Sequence, residues 1–274
     1  MEDALVRSLR LLRPEDSERR EGYPWELPAI AALTGGLAMH PKVTYLIGEN
    51  GSGKSTLLEA IAVAAGMNPE GGSSAYAFST RDSHSELWSA LRLIKGARRW
   101  RTEFFLRAES LFTAGTYLER LNEDLDPAAA GLAGDLLASY GGVSLHEQSH
   151  GESFLAVMIN RFGPHGLYLL DEPEAALSTQ NCLTCLRRVH ELVTDGSQFI
   201  IATHSPIILA YPDALIYTCD EGGLHPTDYE DAEPVRLTRS FLESHEGFLR
   251  QLLADQPWRT SVADTDGWTR PRSN

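Results

Sequence analysis

The chain has 274 residues, 42% of them hydrophobic, which is enough for a substantial core in one large domain or in one domain with a sub-domain. No stretch approaches the roughly 18 uninterrupted apolar residues of a membrane-spanning helix, and the charged start MEDALVRSLRLLRPEDSERR argues against a secretory signal, so a cytoplasmic protein is expected. A formal net charge of -14 disfavours polyanions over most of the surface while leaving room for local basic patches, and three cysteines speak against a disulfide framework.

The first clear element is KVTYLIG, Lys42 to Gly48, an apolar run rich in β-branched and aromatic residues that predicts a buried strand. STLLEAIAVAAG follows with apolar residues at helical spacing and a closing glycine, Gly66, suited to a helix end. Between them stands Gly48-Glu49-Asn50-Gly51-Ser52-Gly53-Lys54-Ser55, a complete G-x-x-x-x-G-K-[ST] in the strand-loop-helix setting the motif requires. Such a loop turns backbone N–H groups toward phosphate oxygens, and the helix after it presents its positive end to the same anion. Asn50, Gly51, Ser52, Gly53, Lys54, Ser55 and Thr56 are therefore the candidate phosphate-binding residues. Lys54 is expected on the β- and γ-phosphates and Ser55 on Mg²⁺. The plainer alternative is a Gly/Ser turn.

KGARRWRTEFF gathers Lys95, Arg98, Arg99 and Arg101 around Trp100. It reads as a nucleic-acid or protein patch, or as a basic strand edge that deters aggregation. TEFFLRAES is strand-like and ends near Glu109. NEDLDPAAAGLAGDLLASYGG predicts short helices. In HEQSHGESFLAVMINRF, Ser149 and Glu152 fit the S-x-x-E capping box, ahead of an apolar stripe of Phe154, Leu155, Met158 and Phe162.

GLYLLDEPEAAL predicts a strand that ends in two adjacent acids. Asp171 suits the shell of a Mg²⁺ ion, and Glu172 suits the orientation or deprotonation of a water. Ser178 can cap the helix TQNCLTCLRRVHELV. Cys182 and Cys185 on that helix form a single C-x-x-C, which reads as packing rather than as half of a zinc site. SQFIIATHSP is a further strand leading to His204, at the strand end where ligands bind in open α/β sheets. ALIYTCDEGGLHPTDY predicts a hairpin turning at Gly222-Gly223, and RSFLESHEGFLRQLL predicts a closing helix.

In this order the motifs resemble those of the ABC-class ATPases, which include transporter motors, SMC proteins and RecF-like repair proteins. The resemblance runs from about Tyr23 to Thr218 and is nearest to compact SMC- or RecF-like ATPases. Only about ninety residues separate Ser55 from Ser149, too few for a coiled-coil arm. It implies an α/β P-loop NTPase core, a mixed and largely parallel sheet flanked by helices, with an α-helical signature sub-domain inserted at roughly 110–161. One ATPase domain over 1–254 and a disordered tail over 255–274 are expected. The implied activity is Mg²⁺-dependent ATP hydrolysis, with Lys54, Glu172 and His204 catalytic and His204 sensing the γ-phosphate.

The resemblance further implies an ATP-dependent head-to-tail homodimer. In it Ser149 and Gly151, from a signature with His150 in place of its first glycine, touch the nucleotide of the partner protomer. The family's Mg²⁺-binding glutamine has no counterpart before Gln148, and Glu109 is the positional substitute. Tyr23 and Trp25 are the aromatic candidates for stacking on adenine. The expected partner is an effector protein or DNA, in repair or phage defence. The alternative is the motor subunit of a transporter with separate membrane subunits.

Overall fold

The computed structural model describes residues 4–12, 21–69, 71–72, 85–109 and 149–254. Most of the expected helical sub-domain, Gln148 and the tail from 255 lie outside them. Two compact units divide the chain, Met1–Arg236 and Leu237–Asn274.

The main sheet has six strands in the order β5-β6-β7-β3-β8-β9: β3 is Val43–Gly48, β5 Thr102–Arg107, β6 Gly166–Asp171, β7 Gln198–Ala202, β8 Leu215–Asp220 and β9 Gly223–Thr227. Its first five strands run parallel and β9 pairs antiparallel with β8. This is the mixed, largely parallel α/β sheet that the resemblance implies. The hairpin turns at Glu221-Gly222, next to the expected place.

Parallel strands covered on both faces read as continuous apolar runs. β6 and β7 are buried at every position and β3 at all but Gly48. Alternate residues face alternate cores. Tyr45, Tyr168, Leu170, Phe199 and Ile201 pack on one side, with Phe154, Val157 and Met158 of one helix and Cys182, Cys185, Val189 and Leu192 of another. Leu46, Leu167, Leu169 and Ile200 pack on the other side, against Leu57, Leu58 and Ile61. Each such side chain, fully buried, contributes about 1.5–3 kcal/mol.

The helices are α1 (Pro28–Ala31), α2 (Lys54–Ala65), α3 (Leu87–Ala90), α4 (His150–Arg161), α5 (Thr179–Thr194), α6 (Glu233–Glu243) and α7 (His245–Leu253). The single closing helix of the sequence reading is two helices, because Ser244 leaves helical geometry at φ -147°, ψ 53°. α4 and α5 begin with side-chain caps from Ser149 and Ser178, as their sequences predict. The C-x-x-C residues are buried packing groups. Cys185 Sγ donates to Met158 Sδ, and burial pushes its thiol up to about 12. No described helix is long and apolar enough to cross a membrane.

A second, antiparallel sheet was not legible in the sequence. β1 (Val6–Leu11) pairs with β2 (Leu37–Ala38) on one side and β4 (Leu91–Lys95) on the other. Gln198 of β7 joins the two sheets. Its buried amide donates to Val6 O (2.8 Å) and His40 O (2.7 Å) and accepts from Val6 N (2.8 Å). Both donors and one of the two acceptor positions of the amide are used, as burial demands.

Candidate functional site

The strand order places the ends of β6, β7 and β3 side by side, so the residues after them converge although β3 lies more than a hundred positions before the other two. The loop after β3 enters α2 through Gly53, whose φ of +97° is left-handed. No side chain caps α2 and no acid stands in its first turn. The contrast with the capped α4 and α5 is physical: the N–H groups that begin α2 are left for an anion.

A cavity of about 370 Å³ opens over this end, lined by the loop and helix residues Asn50, Gly51, Gly53, Lys54, Ser55 and Thr56 together with Tyr23, Leu27, Glu109 and Glu172. Ser52 is turned away. It is buried, its hydroxyl has no partner among the described residues, and it lines a second cavity on the other flank of the loop. Gly48 makes the loop's departure possible. Its φ is +142°, and a Cβ there would stand 2.0 Å from Cys219 O on the neighbouring strand.

Lys54 is 4% exposed and folds back on its own loop, donating to Gly48 O (2.7 Å) and Glu49 O (2.8 Å). Burial lowers its pKa, opposed by Glu172, Cys219, Asp171 and Glu174. The Ser55 hydroxyl donates to Asp171 Oδ1 at 3.0 Å. Burial pushes the Asp171 carboxyl up to about 6, against the pull of Arg107 and the Ser55 hydrogen bond.

Arg107 was not singled out in the sequence. It ends β5 directly across from Asp171, and its guanidinium reaches Asp171 Oδ2 (3.4 Å) and Glu59 Oε2 of α2 (3.2 Å). A strand-end arginine paired in register with a motif aspartate was the available signal.

Glu172 sits in the left-handed region at φ 47°, ψ 55°, uncommon for a residue with a Cβ. Its N–H donates to Ala202 O (2.9 Å), tying the acidic pair to the end of β7. His204 Nε2 lies 3.7 Å from Glu172 Oε1. It is closed off from solvent and has no hydrogen-bond partner among the described residues.

Glu174 was also unforeseen. One carboxylate oxygen accepts from the His204 N–H, the other from the Thr203 hydroxyl (2.7 Å), and Thr203 Oγ1 accepts from Ser205 N (3.0 Å). The turn that carries His204 is thus held by the segment that carries the acids.

The donor set suits Mg²⁺. Ser55 Oγ and Asp171 Oδ1 are hard oxygens 3.0 Å apart, with Glu109 on the wall of the same cavity. Among the described residues no cluster of three or more His, Cys, Asp or Glu forms a metal cage. That fits an ion held by one or two protein groups and completed by phosphates and water.

Of the two aromatic candidates, Tyr23 lines the cavity, with its hydroxyl 3.4 Å from Thr56 Oγ1, whereas Trp25 packs against the core. Ser149 and Gly151 are not on the cavity wall. Ser149 forms both halves of the capping box with Glu152, whose carboxyl this holds below its ordinary pKa. Gly151 packs so closely that a Cβ would meet Asn181 Nδ2 at 2.9 Å and Ala176 O at 3.1 Å.

Residues 43–111 match the family model described as "AAA domain, putative AbiEii toxin, Type IV TA system". The matched segment contains β3, the glycine-rich loop, α2 and β5. No curated protein matches the chain. Similar solved structures include cbiO1 from Clostridium perfringens, part of the ABC transporter complex cbiONQ, at 18% identity over 90% of this chain and 99% of that one with a TM-score of 0.44. Another is titled "An inward-facing conformation of a putative metal-chelate type ABC transporter", at 16% identity over 71% and 74% with a TM-score of 0.39. The family match spans the segment that holds the complete phosphate-binding motif, and the two together support a P-loop nucleotide-binding core in this part of the chain.

Proposed function

We propose that the protein hydrolyses ATP and uses the cycle as a switch between separate and paired protomers. The observation that carries this is the 3.0 Å contact between Asp171 of the acidic strand end and Ser55 of the glycine-rich loop, which lines one cavity with Lys54 and Glu172.

Lys54 leaves the two loop carbonyls for the β- and γ-phosphates, and the uncapped start of α2 receives the same charge. Ser55 and Asp171 hold the magnesium ion, which neutralises phosphate charge when bound. Tyr23 stacks on the base. Glu172 orients the attacking water or takes its proton, with His204 beside it to contact the γ-phosphate. Ser149 and Gly151 serve the partner's nucleotide in a head-to-tail homodimer, which accounts for their absence from the cavity of their own chain. The partner is an effector protein or DNA, and the site of action is cytoplasmic.

The test is Glu172→Gln with ATP and Mg²⁺ in light scattering. A dimer that persists supports the switch. A strict monomer, with nucleotide bound, removes it.

A further inference from the structure

We propose that the outer face of the small antiparallel sheet is a docking surface for the phosphate backbone of duplex DNA. In β1, Leu9 and Leu11 pack toward the core while Arg10 between them is exposed. Its register partner in β4 is Arg92, also exposed. The pairing slips between Val6 and Ser8, so Arg7 is the extra residue of a bulge. Bulges re-aim side chains, and Arg7 is exposed as Arg10 is.

Two cations set directly opposite each other destabilise a strand pair. Among the described residues no ion pair offsets the repulsion. β1, β2 and β4 contain no acid, and Arg7, Arg10 and Arg92 have no ion pair among the described residues. In a chain of net charge -14, three exposed arginines on one small sheet, without an ion pair among the described residues, mark a local positive patch. Arg99 and Arg101, a few residues after β4, are also exposed, whereas Arg98 is engaged by His165 (2.8 Å) and Lys95 lies over the Trp100 ring (4.4 Å).

Geometry favours a polyphosphate backbone over a single anion. Three strand positions separate Arg7 from Arg10, about 10 Å along the sheet, and Arg92 stands about 5 Å to the side. A guanidinium engages a phosphate bidentately. The outward residues Arg7, Ser8, Arg10, Arg92 and Ile94 include no aromatic ring for stacking on unpaired bases. This names the partner class in the proposed function and rests on that reading for its biological sense. Its test does not, because binding is measured without nucleotide.

The experiment is fluorescence anisotropy of the full chain with a short labelled duplex, for wild type, Arg92→Gln and Arg10→Gln/Arg92→Gln, with Arg187→Gln on α5 as control. Each arginine removed from the face weakens binding roughly eight-fold at about 0.1 M salt and lowers the slope of log K against log salt by about 0.9. Circular dichroism verifies folding, and melting temperatures at or above wild type are expected because a like-charge pair is relieved. The single variant stands in if the double variant misfolds. Absent DNA binding by wild type, equal loss in the Arg187 control, or an unchanged slope each overturns the proposal. Phosphate release measured in parallel without DNA reports separately on the ATPase reading.

Discussion

The carboxylate of Glu174 holds the backbone N–H of His204, while its second oxygen takes the hydroxyl of Thr203. Glu174 is absent from the cavity wall, so it acts through the turn it holds. Glu174→Gln keeps one acceptor and loses the charge from both hydrogen bonds. The expected result is a fall of about 10- to 100-fold in kcat with KM for ATP little changed, since small displacements of a reacting group cost that much. Steady-state phosphate release reads the split. A change confined to KM would place Glu174 in nucleotide binding instead.

Arg107 lowers the pKa that burial raises on Asp171. Removing its charge by Arg107→Gln moves the carboxyl's titration upward. Because Asp171 must be ionised to hold a cation, the acid limb of the kcat/KM profile shifts to higher pH, and more Mg²⁺ is needed at a given pH. A pH-rate profile at two Mg²⁺ concentrations checks this, and an unmoved limb refutes it.

Burial of Asp171 also sets how stability depends on pH. Its carboxyl titrates near 6 in the folded chain, above the ordinary 3.8. The folded state therefore binds more protons than the unfolded state between about pH 4 and pH 6, and stability falls as pH rises through that window. Asp171→Asn lacks this loss. Chemical denaturation of the nucleotide-free protein should show the variant gaining on wild type by up to about 2–3 kcal/mol from pH 4 to pH 7, while its hydrolysis is abolished.

Tyr23 and Trp25 separate cleanly. Tyr23→Ala should weaken ATP binding about 3- to 10-fold with little change in melting temperature, from loss of a stacking surface. Trp25→Ala removes a ring packed on the core and should act chiefly on stability, by about 2–4 kcal/mol. Fluorescent-nucleotide titration and thermal melts of both variants decide. Equal effects on binding would put both rings at the base.

What could be read from sequence was what depends on local pattern. β3, β6 and β7 are buried on both faces, so their apolar runs stand out, and the glycine-rich loop, the acidic pair and His204 follow them at fixed offsets. Ser149 and Ser178 announced helix starts through capping chemistry. Arg107 and Glu174 were passed over because their meaning lies in partners 64 and 30 residues away, Asp171 and His204, and no local period encodes such pairs. β1 and β4 were missed for a related reason. They pair across about eighty residues, and their exposed arginines break the apolar runs by which strands are recognised.

The adjacency of β6, β7 and β3 has a consequence for how such a chain can evolve. Their spacing is enforced by ladder hydrogen bonds, not by the polypeptide that links one to the next. Lengthening a connection between them leaves the register of the candidate site untouched as long as the ladders close. A longer link between β6 and β7 would thus leave Asp171 opposite Ala202, as it stands now.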